Sequence, residues 1–146
     1  MTDDGLIRIE IVSPSRVLAA RVILGVSALA YVAIGLAFIF VPERIIGYVG
    51  IEAAPGSALT DIRAVYGGLD FGIGAFLLHC LLGGKLRMGL VAATLTLGGL
   101  ACARILGIIV DGQQDAVTYY LLASEIIGGA LCLVGLGLVR HLPSEN

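Results

Sequence analysis

Charge is what this chain has least of. Only 14% of its 146 residues are Asp, Glu, Lys or Arg, against 58% hydrophobic, and the mean hydropathy is +1.01. Such scarcity excludes disorder and argues strongly against a water-soluble domain, which needs far more polar surface. A basic stripe is missing as well. The formal charge is −2, the pI is near 5.5, and the aromatics are mostly embedded in apolar runs, so a nucleic acid finds nothing to read or stack upon. Paired thiols are also absent. Cys80, Cys102 and Cys132 are odd in number, have no CxxC spacing and fall in apolar segments. They read as small polarizable core residues, not as a disulfide framework or thiol relay. Nor does the N-terminus read as a cleaved signal. Asp3 and Asp4 stand where a basic cluster belongs, and the first apolar run is too long for a signal core, so that run is expected to remain as an anchor.

What is present is four long apolar segments. A polar opening with an alternating stretch over residues 6–12 leads to Ser13-Pro14-Ser15, where a serine oxygen is placed to cap the first helix. Val22 to Val41 is twenty residues without a charge, ~30 Å of helix, which is one bilayer core. Spans are predicted at about residues 17–41, 61–82, 88–110 and 116–139. Between the first two, Pro42-Glu43-Arg44-Ile45-Ile46-Gly47-Tyr48 begins a segment too short to cross and amphipathic enough to lie at the headgroups as an interfacial half-helix. Ala53-Ala54-Pro55-Gly56-Ser57 then makes a loop. The fold class is therefore all-α: a four-transmembrane-helix bundle filling residues 1–146 as a single integral membrane domain. Arg8, Arg16, Arg21, Lys85, Arg87 and Arg140 fall on the side of both termini, and only Arg44 and Arg63 on the other. The positive-inside rule predicts cytoplasmic termini and an external Asp111 turn.

Against that background six ionisable residues are conspicuous: Arg63, Asp70, His79, Arg104, Asp111 and Glu125. A charge at the centre of a spanning helix costs ~2.5–3.5 kcal/mol on the gentlest scale, so such residues face protein or a wet cavity and find partners. Counted from the Asp111 end, Asp70 and Glu125 are each expected ~13 Å deep and Arg104 ~9 Å deep, with Arg63 and Asp111 at the rim. Arg63, Tyr66, Gly67, Asp70 and Gly74 follow one α-helical stripe. Glu125 shares its face with Thr118, Leu121, Leu122, Gly128 and Gly129, so its counter-charge must come from another helix. Gly68-x-x-x-Gly72 has the spacing of a helix-packing motif, and Gly98, Gly99, Gly128 and Gly129 add further small positions. His79 has no second His or Cys at ligand spacing and reads as a lone polar core residue, so no metal site is predicted. Tyr31 and Tyr66 are placed to add hydroxyls.

Arg63-Ala64-Val65-Tyr66-Gly67-Gly68, the run from Arg104 through Gly107 and Asp111 to Gly112, and Glu125-Ile126-Ile127-Gly128 carry a resemblance. Together with Pro42 after the first span, they make residues 17–140 resemble a bacterial four-helix membrane family, domain of unknown function 4345. The resemblance implies a four-helix bundle of unassigned activity in a bacterial inner membrane. The architecture is similar to that of DoxX-like proteins, some of them linked to quinone-coupled oxidation; this chain shows no cofactor motif, so no cofactor follows. Asp70 and His79 lie outside the family pattern.

Three functions fit these residues. In the first, a polar pocket of Arg63, Tyr66, Asp70, Arg104, Asp111 and Glu125 binds a membrane lipid or amphipathic small molecule, with the arginines forked onto an anionic group and Asp70 or Glu125 balancing them. In the second, an enzyme uses Asp70 or Glu125 as general acid or base on an apolar substrate. In the third, the same carboxylates serve a proton-coupled carrier, for which four spans call for a homodimer. Burial and a nearby arginine act on such a carboxyl in opposite directions, a balance that each of these functions could use.

Overall fold

A computed structural model describes residues 13–48 and 56–140. The alternating stretch at 6–12, the end of the half-helix with most of its loop at 49–55, and the terminal His141-Leu142-Pro143 lie outside the described residues. The described chain contains no strand.

The first span is Pro14–Phe40. Its proline fits the first helical turn, where no backbone N–H is required. The cap differs from expectation. Ser13 supplies only its carbonyl, accepting from Arg16 N at 2.9 Å, while its hydroxyl lies 2.8 Å from that of Ser15. Pro42 cannot donate, so the helix breaks at Val41 and the short helix Pro42–Tyr48 starts on a new axis. The second span, Ser57–Leu82, begins four residues earlier than expected and contains a π-helical segment, Arg63–Gly68, marked by Leu69 N donating five residues back to Ala64 O. Gly84, at φ +74°, closes the turn to the third span, Leu86–Asp111; Gly112, at φ +82°, opens the turn to the fourth, Ala116–Leu138. Both turns need the left-handed backbone that glycine adopts without strain.

Consecutive spans run antiparallel, with each hairpin packed along its length: first on second, third on fourth. The first–second seam is made by glycine. A Cβ on Gly67 would stand 2.7 Å from Ile39 Cγ1, and one on Gly74 2.7 Å from Val32 N, so these two backbones touch the first span directly. Gly35 is its counterpart, facing Phe71 backbone and Gly67 O. Gly68 and Gly72, which the motif singled out, are exposed, and a Cβ on Gly72 would meet nothing within 4 Å. The packing repeat is seven residues, not four, and lies on a neighbouring face.

Where the two hairpins meet, the core is confined to the Lys85 end. Ala20, Leu24, Ala28, Tyr31, Leu77, Cys80, Leu86, Leu90, Ala93, Cys132 and Val139 form it. A second, small cluster of Phe38, Ile46 and Ile62 ties the short helix to the Asp111 end of the first hairpin. The opposite face of the first span, Leu18, Val22, Val26 and Leu29, is more than half exposed. Four helices of 23 to 27 residues with such surfaces make this an integral membrane protein, and the exposed leucines and valines are its lipid face.

Candidate functional site

The apolar core stops half-way. On the third span the buried residues are Leu86, Gly89, Leu90, Ala93 and, further along, Ala101; on the fourth they begin only at Glu125 and continue to Gly129, Cys132 and Gly135. The π segment of the second span packs on the first span and makes at most marginal contact with the third and fourth. The buried residues shared by the two hairpins are therefore concentrated at the Lys85 end and thin out towards the Asp111 end. Arg104, Glu125 and Asp70 lie just beyond the last residues of that core.

Glu125 is the one buried charged side chain among the described residues, and it is met by Arg104 from the neighbouring span. Arg104 Nε donates to both carboxylate oxygens, at 3.2 and 3.0 Å, and Nη2 donates to Oε1 at 2.6 Å. Helix direction explains the meeting. Side chains lean towards the N-terminus of their own helix, so Arg104 points down from the Asp111 end while Glu125, on the antiparallel partner, points up towards it. The counter-charge for Glu125 does come from another helix. It is the only ion pair among the described residues, so the wider convergence of charges is reduced to one forked pair.

Beneath it the first and third spans are linked across the bundle. Tyr31 Oη donates to Thr96 Oγ1 at 2.9 Å, and Thr96 Oγ1 in turn bonds the carbonyls of Ala92 and Ala93 at 3.0 and 3.1 Å. Thr96 carried no signal in the sequence beyond its type, because a threonine that bonds its own helix backbone looks like any other.

The remaining expected site residues are distributed as follows. Arg63 is exposed and its Nε donates to Ile39 O at 3.1 Å, one of the carbonyls left without a helical partner where Pro42 interrupts the first span. Tyr66 stacks on Phe38 with ring centroids 5.4 Å apart. Asp70 is half-buried and makes no hydrogen bond or ion pair among the described residues. It extends the stripe of Ile73, Leu77 and Cys80 at i+3, i+7 and i+10, so it sits on the core-facing side, one turn past where the core ends. Asp111 is exposed at the tip of the third span and pairs with none of the others. His79 is exposed instead of lying in the core, and so is Cys102; Cys80 and Cys132 are buried, as expected of small core residues. Of the stripe Arg63, Tyr66, Gly67, Asp70 and Gly74, all but Asp70 meet the first span: Arg63 at Ile39 O, Tyr66 at Phe38, and Gly67 and Gly74 at Ile39 and Val32.

Neither a curated protein nor a solved structure matches this chain. Residues 19–136 match the family described as a domain of unknown function, DUF4345, a stretch that holds the forked ion pair, the π segment and all four spans almost entire. The chain belongs to the DUF4345 family.

Proposed function

We infer that this is a binding protein of the cell membrane, holding a lipid-like or amphipathic small molecule in the parting between its two hairpins. The supporting observation is the interrupted core. Arg104–Glu125, Asp70 and Tyr66 lie beyond the last residues of the apolar core shared by the hairpins, with the core residue Tyr31 at its edge. A purely structural bundle gains from carrying its apolar core through to both ends, because each buried methylene contributes ~0.8 kcal/mol in water and its packing contacts in lipid. Polar groups held at the edge of an apolar space, with few of them and each oriented, are the usual composition of a small-molecule site. A π segment next to such a site is a common companion. In this reading Arg63 and Asp111 form the rim, the buried charges act as a set around the occupant, and both termini lie in the cytoplasm with the rim facing outward.

The test is native mass spectrometry of the protein released from native lipid discs. The expected result is an adduct of defined mass that survives delipidation of the protein surface and is lost from the paired variant Arg104→Met/Glu125→Leu, which keeps side-chain bulk. A bare protein, or adducts that only mirror the bulk lipid composition, would dismiss the reading.

A further inference from the structure

Every charged side chain among the described residues at the Lys85 end is a cation. Arg16 and Arg21 lie on the first span, Lys85 and Arg87 flank the start of the third, and Arg140 follows the end of the fourth; all five are exposed. The Asp111 end is different, with Glu43, Asp61, Asp111 and Asp115 set against Arg44 and Arg63. Two glycine contacts fix the register of the cations. A Cβ on Gly25 would stand 3.4 Å from Leu81 Cδ2, so Arg21, one turn nearer the end on the same face, lies beside the Gly83-Gly84-Lys85 turn. A Cβ on Gly135 would stand 3.6 Å from Ile23 Cδ1. Arg16 lies ~10 Å outward of Ile23 on the same stripe, and Arg140 ~7 Å outward of Gly135. Two couples of like charge, Arg21 with Lys85 and Arg16 with Arg140, are thereby set on opposite sides of the first span. None of these four forms an ion pair with a described residue. The adjoining stretches of sequence, which hold Arg8 with Asp3, Asp4, Glu10 and Glu145, do not reverse the excess of cations.

We propose that Arg16, Arg21, Lys85 and Arg140 bind the headgroups of anionic phospholipids in the leaflet bordering the Lys85 end. Like charges held at one level repel, and a phosphodiester between them relieves the repulsion while accepting charge-assisted hydrogen bonds. The surroundings of the cations select a phospholipid over a soluble anion. Arg16 and Arg21 bracket Leu18 and Val22, which are 62% and 56% exposed, and Lys85 closely follows Leu82, at 81%. Each of these cations therefore stands at the edge of the surface that acyl chains cover. A lipid whose chains lie on those residues brings its phosphate to the level that the guanidinium and ammonium groups reach along their stems. A basic rim of this kind attracts anionic headgroups over about a Debye length. Phosphatidylcholine offers the same phosphate, but its ammonium cancels the charge and is itself repelled; phosphatidylglycerol keeps its net negative charge. This site lies at the opposite end of the bundle from the parting and does not depend on what the parting holds.

The experiment titrates the full chain, purified in a neutral detergent, with phosphatidylglycerol or phosphatidylcholine of identical chains, and counts bound lipids by native mass spectrometry. The first phosphatidylglycerol is expected to bind about tenfold more tightly than the first phosphatidylcholine. Arg16→Gln/Arg140→Gln and Arg21→Gln/Lys85→Gln each lower that preference, and the fourfold variant brings it to about one. Arg44→Gln, which removes a cation from the opposite end, leaves it unchanged. Circular dichroism and gel filtration separate loss of the site from loss of the fold. A parent protein without the preference, or a preference that persists in a folded fourfold variant, overturns the proposal. If the fourfold variant does not fold, the two double variants decide, and an unchanged preference in both overturns it. A fall in Arg44→Gln as large as in the double variants overturns it too, by reducing the effect to overall charge. Displacement of phosphatidylglycerol by an equal concentration of glycerol phosphate assigns the cations to a soluble anion and overturns the lipid assignment.

Discussion

Breaking the Arg104–Glu125 pair one side at a time and then on both sides isolates what the pair contributes. Glu125 is the more deeply placed partner, with 8% of its side chain exposed against 26% for Arg104. Removing the arginine therefore strands the more buried charge, and removing the glutamate strands a guanidinium that can swing towards the surface on its long stem. Stranding one member of a fully buried pair costs ~3–5 kcal/mol in soluble proteins. With Arg104 a quarter exposed, Arg104→Met falls at the bottom of that range, about 3 kcal/mol, and Glu125→Leu below it, about 2 kcal/mol, because the stranded guanidinium reaches the surface. The double variant loses the attraction but strands nothing, so it should cost about 2 kcal/mol, giving a coupling of about 3 kcal/mol. That exceeds the average of ~0.6 kcal/mol for interhelical hydrogen bonds within membranes, because both partners here are charged and three bonds form together. The assay is equilibrium unfolding by SDS titration from lipid–detergent mixed micelles. A coupling under about 0.5 kcal/mol would refute the physical account, since it would mean that lipid headgroups or water satisfy each charge as well as its partner does.

Three further predictions follow from particular contacts. Gly35→Ala places a Cβ 2.8 Å from Phe71 Cα and 2.9 Å from Gly67 O. The first two spans must then separate, lowering stability by about 1–3 kcal/mol in the same titration, whereas Gly72→Ala, with nothing within 4 Å of its Cβ, stays within about 0.5 kcal/mol of the parent. Tyr31→Phe removes the one donor to Thr96 and should cost about 1 kcal/mol, a loss that Thr96→Val shares without adding to it; additive losses would show the two residues to be uncoupled. A carbene generated by light from a bilayer-dissolved diazirine, which needs no thiolate, should label Cys102 in intact membranes and leave Cys80 and Cys132 unlabelled until the protein is unfolded, read by peptide mass spectrometry.

The spans were legible because length and apolarity alone define them; each predicted end falls within four residues of the observed one. Counting depth on antiparallel helices brought Arg104 and Glu125 towards a common level, and the absence of a local partner for Glu125 pointed to an inter-helix pair. Two things escaped. The π segment at Arg63–Gly68 has no sequence signature, and a stripe drawn with a period of 3.6 gave no sign that Arg63, Tyr66, Gly67 and Gly74 would meet the first span. The glycine motif failed for a related reason. GxxxG spacing is common in apolar helices and does not say which face meets a neighbour, and Gly67, Gly74 and Gly35 make the contact while Gly68 and Gly72 look outward. His79 and Cys102 were misplaced because in a membrane protein an apolar stretch is as often outside as inside.

The order of the turns gives the parting of the hairpins a mechanical meaning. Each hairpin is closed on itself at the Asp111 end, by the short helix in one case and by Gly112 in the other, and the sole covalent tie between them is the Gly83-Gly84-Lys85 turn at the far end. The molecule is built like a clothes-peg, with its spring at the Lys85 end, where Leu24, Leu77 and Leu90 are gripped, and its jaws at the other. Widening the jaws leaves the glycine seam of one arm and the ion pair of the other untouched. A change of angle between the two arms would be resisted chiefly by the small group of side chains at the fulcrum.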